Sequence, residues 1–206
     1  MKSTRSSPDP VFCQSYLTED FDVKLAHSLY LTLLPKLSKY DFILLCVGTD
    51  RSTGDALGPL VGTILKQKKV PALHIYGTLD EPVHALNLAK TVTAIHLDHH
   101  HPFIIAIDAC LGKYEHVGQI SVGHGPLKPG AAVQKNLPAV GDMHITGIVN
   151  VGGFMEYFVL QNTRLSIVMQ MATKIADAIY LACCTLHQQP AQHPFSQSSP
   201  TPLFKN

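Results

Sequence analysis

The run Phe42-Ile-Leu-Leu-Cys-Val-Gly48-Thr-Asp-Arg-Ser-Thr-Gly54-Asp55-Ala-Leu-Gly58-Pro59 limits what this chain can fold into more than any other stretch. Its apolar residues 42–47 are too few to span a membrane but suffice for a strand buried on both faces. They stop at a polar loop punctuated by glycine, and Pro59 then sits where the first turn of a helix tolerates it. A strand, a loop and a helix in that order belong to an α/β sheet, not to a hairpin. Asp55 therefore stands at the rim of such a sheet.

The rest of the chain repeats the alternation. Apolar residues Val23, Ala26, Leu29, Leu33 and Leu37 approximate helical spacing after Asp20, with Pro35 near the end. Ala72-Leu-His-Ile-Tyr76 reads as a second strand. Asp80-Glu81-Pro82 has the cap, acid and proline of a helix start, and the spacing predicts one helix on to Leu97. Phe103-Ile-Ile-Ala-Ile-Asp108 is a third strand that ends, like the first, in a carboxylate. Gly118–Gly123 alternates like an exposed or edge strand, and the glycines and prolines from 125 to 138 make the following 20 residues a long ordered loop, of a length that is often functional in compact domains. Thr146–Leu160 is expected as a helix, Arg164–Gln170 as a strand and Met171–Leu186 as a last helix.

These elements predict an α/β fold: an open, mostly parallel sheet with helices on both faces, three layers in one domain. The 206 residues suit a single core. The expected boundaries are a flexible arm over 1–18, the domain over 19–187 and a disordered Gln-, Pro- and Ser-rich tail over 188–206.

A formal net charge of +1 offers no basic stripe for nucleic acid or an anionic membrane, so neither is expected as a partner. The five cysteines are odd in number, lack C-x-x-C spacing and fall mostly in apolar runs, as reduced buried thiols do. No apolar leader follows Met1-Lys2, and no apolar run reaches the roughly 18 residues of a spanning helix. A cytoplasmic protein is the expectation.

In open α/β sheets, sites form outside the carboxyl ends of the strands. If the first and third strands are neighbours, Asp55 and Asp108 share a crevice, where paired acids hold a cation or divide into a base and an acid. Acids at such positions also cap helices or satisfy loop amides. His144, in Asp142-Met-His144-Ile-Thr-Gly147, adds an imidazole at a predicted helix start. Asp98-His99-His100-His101 reads as a polar turn at the entrance to a strand. Cys110 reads as a buried thiol. Neither G-x-G-x-x-G, Gly-Lys-Ser/Thr nor G-x-S-x-G is present, which removes the dinucleotide, P-loop and serine-elbow readings.

Val47-Gly-Thr-Asp-Arg-Ser-Thr-Gly-Asp-Ala-Leu-Gly-Pro59, Ile107-Asp-Ala109 and Leu127-Lys-Pro-Gly-Ala-Ala-Val133 resemble, in the same order, segments of the germination protease that degrades small acid-soluble spore proteins. Over residues 40–185 the chain is most similar to the small YyaC-type sporulation proteins related to that protease. A more distant likeness is to the hydrogenase maturation endopeptidases, whose two acidic groups and one histidine hold a metal. The resemblance implies a phosphorylase/hydrolase-like fold and a peptidase acting on a protein or peptide substrate in a sporulating cell or spore. It implies Asp55 and Asp108 as catalytic acids, and Asp55, Asp108 and His144 as ligands of a divalent metal. The alternative is a non-catalytic sporulation protein that uses the same crevice for binding.

Overall fold

Strand β2 (Asp41–Cys46) is apolar from Phe42 onward, and its side chains are almost wholly withdrawn from solvent. A strand buried on both faces has to lie inside a sheet that is itself covered on both sides. A computed structural model, which describes residues 10–129 and 138–188, shows that arrangement. In chain order the elements are β1 (Phe12–Ser15), α1 (Phe21–Leu33), β2, α2 (Leu57–Lys68), β3 (Leu73–Tyr76), α3 (Leu88–Asp98) and β4 (Pro102–Gly112). They continue with β5 (Gln119–His124), β6 (Met143–Val151), α4 (Glu156–Gln161) and α5 (Leu165–His187).

The six-stranded sheet has the order β1-β5-β6-β4-β2-β3. β3, β2, β4 and β6 run parallel, while β5 is antiparallel to both β6 and β1. One face carries Phe42, Leu44, Phe103, Ile105, Ile107, Met143 and Ile145, packed under α1, α2 and α5. The other carries Ile43, Leu45, Ile104 and Ala106, packed with Leu88 and Ile95 of α3. The expected three-layer α/β domain is the observed one, with its antiparallel strands gathered at one end.

Several elements differ from their sequence expectations, each for a physical reason. The segment 10–18 holds β1, whose four residues pair with β5, so the arm is anchored there and β5 is an inner strand instead of an edge. Residues 1–9, 189–206 and most of the 125–138 loop lie outside the described residues. The helix expected from Asp80 begins only at Leu88, because Val83 is drawn into an isolated parallel bridge with Val47.

The first part of the stretch read as a helix from Thr146 is strand. Met143, Ile145, Gly147 and Val149 are buried while the residues between them are half-exposed, a period of two set by a β-branched run. The helix there is only α4. Conversely, the strand expected over 164–170 is the first part of α5: Val168, Met171, Ala172 and Ile175 are buried at helical spacing. Joined into 23 residues, α5 is long and apolar enough to cross a membrane, which the split reading hid. Ten of its side chains are buried within the domain, which marks a core helix.

Candidate functional site

The order β3-β2-β4 makes the junction of β2 and β4 a point where successive crossovers diverge: α2 leaves β2 over one face, and α3 returns to β4 over the other. Such junctions open a crevice beyond the carboxyl end of the strands. Here β2 stops at Cys46, paired with Ile107, whereas β4 runs on to Gly112. Asp108 is therefore not at the end of its strand, as the sequence suggested. It lies within β4, one residue beyond the last pairing with β2.

The loop from β2 to α2 is built by close backbone approach. Val47 N–H donates to Ile107 O at 2.7 Å, and Gly48 N–H donates to Val83 O at 2.8 Å. Gly48 has φ +141°, and a Cβ placed on it would lie 2.0 Å from Asp55 O, to which Thr49 N–H donates at 3.1 Å. Only glycine allows the loop to double back there. Asp55 follows in a 3-10 turn, Gly54–Ala56, that leads into α2. The glycines thus serve chain packing, in keeping with the missing phosphate-loop pattern.

Asp55 and Asp108 line one cavity of about 220 Å³. Asp108 is buried, at 6% exposure, and Asp55 is half-buried. The Ala109 N–H donates to Asp108 Oδ1 at 2.9 Å, holding the carboxylate beside its own strand. The loop residues Thr49, Arg51 and Ser52 line one wall of the cavity, and the largely apolar remainder includes Leu86, Tyr157 and Leu160. Ser52 is 7% exposed, and its Oγ has no hydrogen-bond partner among the described residues.

His144 does not line this cavity. It is the second residue of β6, paired with Ala106 two positions before Asp108, not the first residue of a helix. Its Nδ1 bonds Gly125 O at 2.9 Å, and its ring lies over Gly123 on β5. That is the role of a structural histidine between strand and loop. Among the described residues, no three His, Cys, Asp or Glu side chains group as a metal site. Without His144, the two acids lack the third donor that the resemblance implied for a metal.

The imidazole that does line the cavity is His84. Sequence reasoning placed it inside the helix expected from Asp80 and so missed it. Asn87, a residue type that caps helices, was the available sign that the helix starts later. Asn87 Oδ1 accepts the His84 N–H at 2.8 Å, and its Nδ2 donates to Pro82 O at 3.0 Å, so this side chain braces the whole turn.

Cys110 is no nucleophile in this setting. Burial, reinforced by the negative charge of Asp108, pushes its thiol up to about 12, far above the range in which a thiolate is available. The His-rich turn stays at the amino end of β4, away from the cavity; there Tyr76 Oη and His99 Nε2 are 3.0 Å apart.

A family model described as a protein of unknown function, DUF1256, matches residues 16–178. This chain belongs to the DUF1256 family. The DUF1256 match takes in every described strand of the sheet except β1, together with both cavity acids. A curated relative, the uncharacterized protein YyaC of Bacillus subtilis (strain 168), is 54% identical over 164 residues, covering 80% of either chain. Among solved structures, the [NiFe] hydrogenase maturation protease HycI of Thermococcus kodakarensis KOD1 aligns with a TM-score of 0.46 at 16% identity, covering 73% of this chain and 98% of its own.

Proposed function

We propose that this DUF1256 protein is a peptidase that hydrolyses a peptide bond with Asp55 and Asp108 at the mouth of the β2/β4 crevice. The observation that carries this reading is the meeting of the two acids in one cavity although 53 positions separate them in the chain. One carboxylate takes a proton from water as it attacks the peptide carbonyl carbon. The other, protonated, gives its proton to the leaving nitrogen as the C–N bond breaks. Two acids in a partly dry cleft suit that division, because neighbouring like charges force their proton affinities apart.

The resemblance of the Val47–Pro59, Ile107–Ala109 and Leu127–Val133 segments to the germination protease supports the reaction class and suggests a substrate class. On this reading the substrate is a small spore protein or a peptide from one, met in the cytoplasm of the mother cell, the forespore or the spore interior. The test is cleavage of small acid-soluble spore proteins and a peptide library by the wild-type chain and by Asp55→Asn and Asp108→Asn. Each variant should lose on the order of 10²-fold or more in kcat, the scale of a general acid or base. Cleavage by both variants at the wild-type rate would refute the paired-acid mechanism.

A further inference from the structure

In that division one carboxylate deprotonates the water and the other acid protonates the leaving nitrogen, so neither is left to stabilise the negative charge that builds on the carbonyl oxygen. That charge needs a donor fixed beforehand. We propose that His84 supplies it: its Nε2–H is the hydrogen-bond donor to the carbonyl oxygen of the bound peptide, on the reading that the cavity is a peptidase site.

His84 lines the same cavity as Asp55 and Asp108. It follows directly on Val83, which is bridged to Val47 and accepts the Gly48 N–H at the start of the Asp55 loop. The imidazole thus hangs from backbone tied to the segment that carries the acid. His84 is further held by its N–H to Asn87 Oδ1, at 2.8 Å, and by its carbonyl, which accepts from Asn87 N at 3.0 Å and Leu88 N at 2.9 Å.

The orientation of the ring is set locally as well. Leu86 N–H donates to His84 Nδ1 at 3.3 Å, so Nδ1 is an acceptor. A neutral imidazole that accepts at Nδ1 carries its proton at Nε2. The loop takes up one ring nitrogen and leaves the other as a donor. A neutral donor also suits a cavity whose two acids already perform both proton transfers, since nothing has to leave or return to the ring during the reaction. Thr49, Arg51, Ser52 and Tyr157 bring further donors to the wall, of which the Arg51 side chain is exposed.

Two measurements test the proposal. In kinetics on a cleaved peptide, His84→Ala should lower kcat on the order of 10²–10³-fold with KM changed by less than about threefold, the pattern of a lost oxyanion donor. His84→Gln, whose amide keeps an N–H donor, should recover most of that loss. A kcat for His84→Ala within about threefold of wild type, or no recovery with Gln, would overturn the proposal. Long-range ¹⁵N–¹H imidazole spectra of the full chain, with His84→Gln used to assign the signal, should show the Nε2–H tautomer. A dominant Nδ1–H tautomer overturns the inference even where cleavage by Asp55 and Asp108 stands. A wild-type chain that cleaves nothing removes the peptidase reading, and the oxyanion role falls with it, whatever the tautomer.

Discussion

Gly58 sits where the first turn of α2 crosses the end of β2, and a Cβ there would lie 2.2 Å from Val47 O. The obstacle is backbone, so helix and strand would have to part. Alanine is otherwise the better helix former by about 1 kcal/mol, which makes the sign of the effect informative. Gly58→Ala should destabilise the protein by about 1–3 kcal/mol, as overpacked sites do, seen as a lower urea midpoint. It should also reduce any peptide cleavage, because the loop holding Asp55 hangs between the two elements. A stabilised variant would mean that α2 and β2 do not meet this closely. At the residue scale Asp55 and Asp108 were legible in the sequence, since a carboxylate after an apolar run has few places to go. His84 was not, because its value comes from a bridge between Val83 and Val47 that no local pattern announces.

Among the elements, periodicity succeeded where one face met one environment and failed where two patterns overlapped. β2 from Phe42 onward and the first six residues of β4 are apolar and were placed well. In β6 the residues facing α2 and α5 are Met143, Ile145, Gly147 and Val149; the glycine interrupts the apolar alternation, and a helical reading competes. At Gly147 side chains of two neighbouring helices approach the strand. A Cβ on Gly147 would lie 2.6 Å from Leu57 Cδ2 of α2 and 2.8 Å from Met171 Cε of α5. Both obstacles are flexible side-chain tips, so Gly147→Ala should cost only about 1–3 kcal/mol. Met171→Ala, at a fully buried position, should cost about 2–5 kcal/mol through the cavity it leaves. Because the new methyl fills part of that cavity, the double variant should be less destabilised than the sum by about 1 kcal/mol. Additive values from urea unfolding would show that β6 and α5 do not share this contact.

For the whole molecule, the composition and the alternation of elements carried the three layers and the single core, while strand order, and with it the partnership of β2 and β4, came from long-range packing. The same core sets a response to alkaline pH. Burial pushes the thiols of Cys110 and Cys183 up to about 12 and that of Cys46 higher still, against an ordinary 9.0. The folded state therefore keeps three protons that the unfolded chain releases as pH rises past 9. Stability is at its full value below that pH and falls above it, since the unfolded chain then binds fewer protons. Each thiol contributes a slope of about 1.4 kcal/mol per pH unit once the unfolded chain is ionised, so three together approach about 4 kcal/mol per unit by pH 10. Urea unfolding followed by circular dichroism between pH 8 and pH 10 measures that slope. Replacing Cys46 and Cys183 by alanine should reduce it to about a third. The volume lost in those replacements shifts the whole stability curve without altering its steepness, so packing and titration separate cleanly. A slope unchanged in the double variant would mean that these thiols are not held protonated by the core.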